Sequence, residues 1–351
     1  LIDDYVWGRG ALDMKNMVAA NLMVFLLLKR QEVSLARDIV FAATADEEAG
    51  KGNHGPGWIM DHRPELWDAP LIITEGGGSD FAVGDQRFYT CQTGQKGLSR
   101  LRVIARGTPG HGSMPHGDSA VLKLSKALAG LEGAVLPAHI SASVRKFIEG
   151  IAVRRPKAEA EVWRQVLDEA HCDEALAALP IDEEWRRELG AVLRNTASVT
   201  MLQSGSKINV IPGEATAWVD GRLALGQTQE SFVAELRAFI GEEVEIAIDQ
   251  YTPPLEADAD TEFFRVIQTV MDEREPGVPV LPYLMPAGTD AKHIMPRRPE
   301  TQIYGFMPYR QKPGEEEMKL IHGHDERTAV EELLFATKVL YEVISRFASV
   351  D

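Results

Sequence analysis

Five side chains at strand ends or in loops could share one site. They are Asp13 in "GRGALDMKN", the neighbours Glu47 and Glu48 in "TADEEAGKG", Glu75 in "IITEGGG" and His322 in "LIHGHDE". Carboxylates brought together repel one another unless a cation or a shared proton relieves them. Carboxylate oxygens and an imidazole nitrogen form a mixed donor set suited to zinc or a similar divalent cation. One carboxylate could bridge two such ions about 3.5–4 Å apart. Each residue also has a plainer reading. Asp13 could cap the helix that follows it, and Glu47-Glu48 could be a solvated acidic turn. Glu75 could sit in a glycine-rich surface turn, and His322 with His324 in a solvated helix entrance. Together the five favour a common chemistry.

For these side chains to meet, the elements before them must end at one place. "DIVFAAT", residues 38–44, reads as a buried strand, and Gly50 and Gly52 mark its passage into a loop. Without that passage Glu47 and Glu48 would leave to opposite faces. A helix from about Asn16 to Arg30, a helical "GPGWIMDHRPELW" and a strand in "APLIITEGGG" complete the rhythm of an α/β sheet with helical crossovers. Functional residues of such sheets lie past the carboxyl ends of the strands, where Glu47, Glu48 and Glu75 fall. From about Gly97 the pattern changes to the alternating strand "GLSRLRVIARG", a helix near Ser119 to Leu131 and the strand pair "SKINVIPGEATAWVDGRLAL". The helix "TQESFVAELRAFIG" and the strand "EVEIAIDQ" follow, giving a βαββαβ, ferredoxin-like layer pair with one open face. Residues of about 140–195 read as a helical insertion, and "YTPPLEAD" as a second hinge. Helix "TEFFRVIQTVMDE", strand "TQIYGF" and a last helix from about Thr328 to Phe347 close the chain. The expected fold class is α/β: a sheet domain formed by 1–95 and 253–351, interrupted by a smaller α+β domain at 96–252.

Composition narrows the partners. With 351 residues, 44% of them apolar, the chain can bury a large core. Thirty-seven basic against 53 acidic residues leave a net charge of -16, which disfavours nucleic acid and anionic membranes as partners. Cys91 and Cys172 are the only cysteines, so a disulfide framework is not expected and a reducing, cytoplasmic setting fits. The longest apolar run, "MVAANLMVFLLL", is too short to span a bilayer. The chain opens on "LIDDYVWGRG" without an initiator Met, so an N-terminally incomplete chain is expected. "EEAGKG" lacks the glycine and hydroxyl of a phosphate loop, "WGRGALD" the third glycine of a dinucleotide fingerprint, and no GxSxG elbow is present.

The strings "GRGALDMK", "TADEEAG", "TEGG", "RGTPGHGSMP", "NVIPGEATAWVDGR", "AGTDA" and "IHGHDER" occur in order along nearly the whole chain. In order and spacing they resemble the aminoacylase, carboxypeptidase G and succinyl-diaminopimelate desuccinylase family of co-catalytic zinc hydrolases. The resemblance implies two Zn2+ per subunit, with Co2+ or Mn2+ as substitutes. Asp13 would bridge both ions, Glu48 and His322 would complete one site, and Glu75 would bind the other. Glu47 would be the general base, taking a proton from the attacking water and passing it to the leaving amine. His111 in "GTPGHGSMP" matches a histidine of the smaller lid domain that, in dimeric members, reaches the partner subunit's site and steadies the oxyanion. Asn209 and Gly288 match positions lining the substrate pocket, and Arg222 either supports its strand or meets a substrate carboxylate.

The activity so implied is hydrolysis of an amide or peptide bond in a small carboxylate-bearing substrate, an N-acyl amino acid or a dipeptide, by a homodimer joined through the lid. The family also carries a His-x-Asp motif roughly thirty residues before the position of Asp13, and this chain begins only twelve residues before it. Two alternatives follow: a non-catalytic dimeric scaffold that has lost its metals, or a hydrolase of a non-peptide amide such as an N-carbamoyl compound.

Overall fold

The computed structural model describes residues 1–48, 54–312 and 317–350. Strand Gln86–Gln95 organises the larger sheet. It runs parallel to Val280–Met285 and antiparallel to Asp80–Val83, to Leu255–Glu256 and, at one residue pair, to Gln302–Gly305. Gln302–Gly305 lies parallel to Leu71–Thr74. Side chains along a strand alternate between its faces. Phe88 therefore enters one core, while Tyr89 and Cys91 enter another.

On the Tyr89 side pack helices Lys15–Arg30, Glu262–Arg274 and Val330–Ala348. The first buries Met17, Ala20, Val24 and Leu28, the three-and-four spacing of a helix face turned to a core. On the Phe88 side pack the helices of the insertion, Ala142–Ala152, Lys157–Gln165, Cys172–Ala178 and Glu183–Val192. Trp163, Phe147 and Ile151 share a cluster there with Phe88, Leu281 and Leu284. The insertion is helical as expected, and it covers one face of the larger sheet.

The smaller sheet has the order Glu245–Thr252, Gly97–Arg106, Glu214–Leu223, Thr196–Ser204, antiparallel throughout. Helices Ala120–Ala129 and Gln229–Ile240 cover one face, so the chain order is βαββαβ as expected, but the strand expected in "SKINVIP" is replaced by Thr196–Ser204, and Val210–Ile211 pairs outside this sheet. Thr228 and Ser231 cap the second helix reciprocally, and Ser119 caps the first through the N–H of Leu122. Among the described residues no helix is long and apolar enough to cross a membrane.

One expected strand is corrected. Residues 38–44 have no ladder partner among the described residues, and most of their side chains are exposed. Ile39 does pack against the core, and the Phe41 ring lies 6.3 Å from that of Phe25. Apolar content specifies burial of side chains; a strand also needs a neighbour presenting a matching row of backbone groups. Gly50 and Gly52 lie outside the described residues. The longest strands beyond the expected set are Gln86–Gln95, Thr196–Ser204 and Val280–Met285.

Candidate metal centre

Asp13 precedes helix Lys15–Arg30, whose N-cap is Met14 without any side-chain cap, so the Asp13 carboxylate is not engaged in capping. Glu326 shapes the loop that carries it. This carboxylate is 3% exposed; its Oε1 accepts the N–H of Leu12 at 3.0 Å and of Asp13 at 3.1 Å. Its Oε2 pairs with Arg9 at 2.8 Å, and Arg9 also donates to the carbonyls of His322 and Gly323. Burial works to raise the Glu326 carboxyl, but the N–H groups of Leu12, Asp13 and Gly10 and the Arg9 charge outweigh it and leave it below its ordinary value. A buried carboxylate thus ties the Asp13 loop to the His322 loop.

His322 Nε2 lies 3.1 Å from Asp13 Oδ2 and 3.1 Å from Glu48 Oε2. One donor atom from each of Asp13, Glu48 and His322 falls within 4.8 Å of the others, and among the described residues this group takes in His322 and not His324. His322 has a φ of 59° and Asp46, just ahead of the two glutamates, 72°. Non-glycine residues adopt this left-handed backbone only where surroundings enforce it.

Glu75 follows strand Leu71–Thr74. The glycines after it have a backbone reason: Gly76 has a φ of 105°, and a Cβ on Gly77 would stand 2.5 Å from the backbone nitrogen of Gln92. The Glu75 carboxyl is pushed up to about 8, first by burial and then by Glu47, Asp13, Asp290 and Glu48. Asp13 is raised by burial and by Glu48, with His322 opposing. Glu75 therefore feels the field of the cluster without belonging to its three-residue group.

Glu47 Oε1 accepts from Lys292 Nζ at 2.6 Å. Beside it Thr44 Oγ1 donates to Asp290 Oδ2 at 2.8 Å. Thr289 donates both its N–H and its hydroxyl to Gln95 Oε1, at 3.1 and 2.8 Å. Gly288 sits in this turn, where an added Cβ would be 3.9 Å from Gln95 Nε2 and from Lys292 Cδ. Sequence reasoning singled out Gly288 in "AGTDAKH" and missed Asp290 and Lys292; a paired acid and base two residues apart were the available signal. It also missed Gln95, Arg9 and the clamping role of Glu326, whose partners lie hundreds of residues away.

His111 and Asn209 come together elsewhere, on the exposed ribbon of Gly110–His111 with Val210–Ile211. The Gly112 N–H donates to the Asn209 carbonyl at 2.8 Å, and His111 Nδ1 meets Ser113 Oγ at 2.8 Å. Arg222 lies in strand Glu214–Leu223 and donates to Asp220 Oδ1 at 2.7 Å.

Two carboxylates and an imidazole converging from separate loops, with further carboxylates beside them, fit a divalent cation that prefers oxygen and nitrogen donors. The positive charge of such an ion is what this cluster of mutually destabilised acids needs.

Known proteins bear on this site. At 26% identity the chain is similar to an N-fatty-acyl-amino acid synthase/hydrolase of Danio rerio, over 94% of this chain and 64% of the relative. It is equally similar, at 26%, to a probable carboxypeptidase S-like protein of Dictyostelium discoideum, over 97% of this chain and 65% of the relative. Aminoacylase-1 of Sus scrofa is also 26% identical, with 99% and 73% covered. The chain thus spans less than two thirds of the length of the first two. Among solved structures a tripeptidase of Staphylococcus aureus superposes with a TM-score of 0.62 at 17% identity, covering 99% of this chain and 74% of that one. An M20 family metallo-carboxypeptidase of Sulfolobus solfataricus does so with 0.62 at 16%, covering 98% and 78%. These two share the fold, an α/β sheet domain with a smaller α+β part. With the family pattern matching residues 2–346, the chain belongs to peptidase family M20/M25/M40.

Proposed function

We propose that this chain carries the catalytic part of a metal-dependent hydrolase that cleaves the amide or peptide bond of an N-acyl amino acid or a dipeptide. The observation that carries the reading is the convergence of Asp13, Glu48 and His322, with Glu47 beside Glu48. The names of two relatives, an N-fatty-acyl-amino acid synthase/hydrolase and an aminoacylase, support an acylated amino acid as substrate class. Asp13, Glu48 and His322 would hold one divalent cation, and Asp13 with Glu75 a second; zinc is the expected ion, with cobalt and manganese as substitutes. When bound, the cation supplies Lewis acidity toward the scissile carbonyl and toward water.

Glu47 is the general base. Lys292 restrains one of its oxygens, leaving the other to take a proton from the attacking water. As the new C–O bond forms and the C–N bond breaks, Glu47 returns that proton to the departing amine. His111, reaching the site of a second subunit, donates to the oxyanion, a contribution of about 3–4 kcal/mol in comparable sites. Asn209 and Gly288 line the pocket.

The test loads the protein with zinc, counts metal per chain by elemental analysis, and follows amine release from N-acyl amino acids, dipeptides and N-carbamoyl amino acids. Metal uptake with release from the first two classes is expected. Release from the carbamoyl compounds alone would move the substrate class, and bound metal with no release from any class would remove the enzymatic reading.

A further inference from the structure

The two glutamates follow the extended residues 38–44, which have no ladder partner among the described residues. Side chains hold this segment, and they come from the turn after strand Val280–Met285 and the short helix Ala291–Ile294. Thr44, at the end of the extended run, is tied to Asp290 at 2.8 Å; Glu47 is tied to Lys292 at 2.6 Å. The turn has its own anchor. Thr289 is fully buried, and its two bonds to Gln95 fix it to the carboxyl end of the central strand. Its hydroxyl also accepts the N–H of Ala291 at 3.2 Å, fastening the start of the helix that bears Lys292.

We propose that Gln95, Thr289, Asp290 and Lys292 form a positioning clamp for the Thr44–Glu48 segment, with Lys292 setting the direction of the Glu47 carboxylate. The clamp deepens the hydrolase reading above and rests on it only for its kinetic consequence. Lys292 acts through Glu47 and is a positioning residue. Its ammonium can reach Glu47 because Ala291 and Ile294 are buried and pin their helix, while the Lys292 side chain keeps 23% of its surface open. Removing the ammonium frees a carboxylate whose placement decides whether a water can be deprotonated in line with the carbonyl. Misplacement of a reacting group by about 1 Å costs up to about a hundredfold in rate.

The experiment measures the rate of proteolytic cleavage within residues 39–48 and steady-state kinetics on an N-acyl amino acid, in the whole chain and in Lys292→Gln, Lys292→Arg and Asp290→Ala. Cleavage there should quicken about tenfold or more in the Gln and Ala variants, while strand Gln86–Gln95 stays uncut. In Lys292→Gln kcat should fall at least about tenfold with KM little changed, and Lys292→Arg should recover most of both. Cleavage at wild-type rates in both Lys292→Gln and Asp290→Ala overturns the clamp. A raised KM with unchanged kcat overturns the role of Lys292, assigning it to substrate. If the unaltered protein turns over no substrate, the hydrolase reading falls, and the proteolysis result alone still decides the clamp.

Discussion

Glu47 and Glu48 are adjacent in the chain and face different partners: Glu48 meets His322 at 3.1 Å, whereas Glu47 meets Lys292 at 2.6 Å. That divergence would let neighbouring, chemically identical side chains serve one as ligand and one as base, the roles proposed for them. Replacing Glu47 by Gln keeps the shape and removes the basicity. Turnover should fall by roughly 10²–10⁴ while metal per chain stays constant. Loss of metal together with activity would mean that the two glutamates have exchanged roles. Asp13, Glu48, Glu75 and His322 could be singled out as candidate donors from the sequence because donor chemistry is written in side-chain type, and the structure gathers Asp13, Glu48 and His322 into one group. Glu326 was not readable as the organiser of Asp13: its function comes from accepting N–H groups 313 and 314 positions away, and nothing in "HDER" announces them.

Strand Gln86–Gln95 escaped the pattern because it inserts Gln92, Thr93 and Gln95 among its apolar residues, and all three are buried. Two of these find side-chain partners that only the fold brings near: Thr93 meets Ser143 of the insertion, and Gln95 meets Thr289. Residues 38–44 show the reverse case, an apolar run that lacks a pairing neighbour. Between the two sheets Lys96 is buried at 3% exposure, with its amine donating to the carbonyls of Ala191 at 2.6 Å and Arg194 at 2.8 Å. Burial first, then Arg222 and Arg194, push its pKa down to about 7. In the unfolded chain the same amine titrates near 10.4. Between those values the unfolded state binds a proton that the folded state has released, so this group makes stability rise with pH from about 7 toward 10. Below pH 7 the cost of burying the cation is present in full. From pH 7 to pH 9 the urea midpoint of wild type should therefore rise relative to that of Lys96→Met. An equal gap at both would show that the amine is not titrating there.

The insertion packs against the larger sheet, and the strand at one edge of the smaller sheet, Thr196–Ser204, has no partner on its outer side among the described residues. Its Met201 and Leu202 are 59% and 65% exposed, and Ile208 in the following turn is fully exposed. An open edge bearing apolar side chains is a template for pairing with another strand. We expect a homodimer formed along this edge, with the ribbon of His111 and Asn209 carried toward the second subunit. Sedimentation should give twice the chain mass at micromolar concentration, and Leu202→Lys should shift it toward the monomer. A monomeric wild type would remove both the dimer and the role of His111 in a neighbouring site.

Donor chemistry, helix faces and the βαββαβ order could be read from sequence, because each rests on residue type and on spacings within one element. The three-and-four spacing of Met17, Ala20, Val24 and Leu28 and the alternation in "GLSRLRVIARG" are of that kind. The tertiary structure decided which donors meet. Glu48 reaches His322 across 274 positions and Glu47 reaches Lys292 across 245, and contacts that distant depend on how every intervening element closes. Side-chain character is local to a residue, but a carboxylate becomes ligand, base or clamp only through the neighbours that packing brings within hydrogen-bond reach.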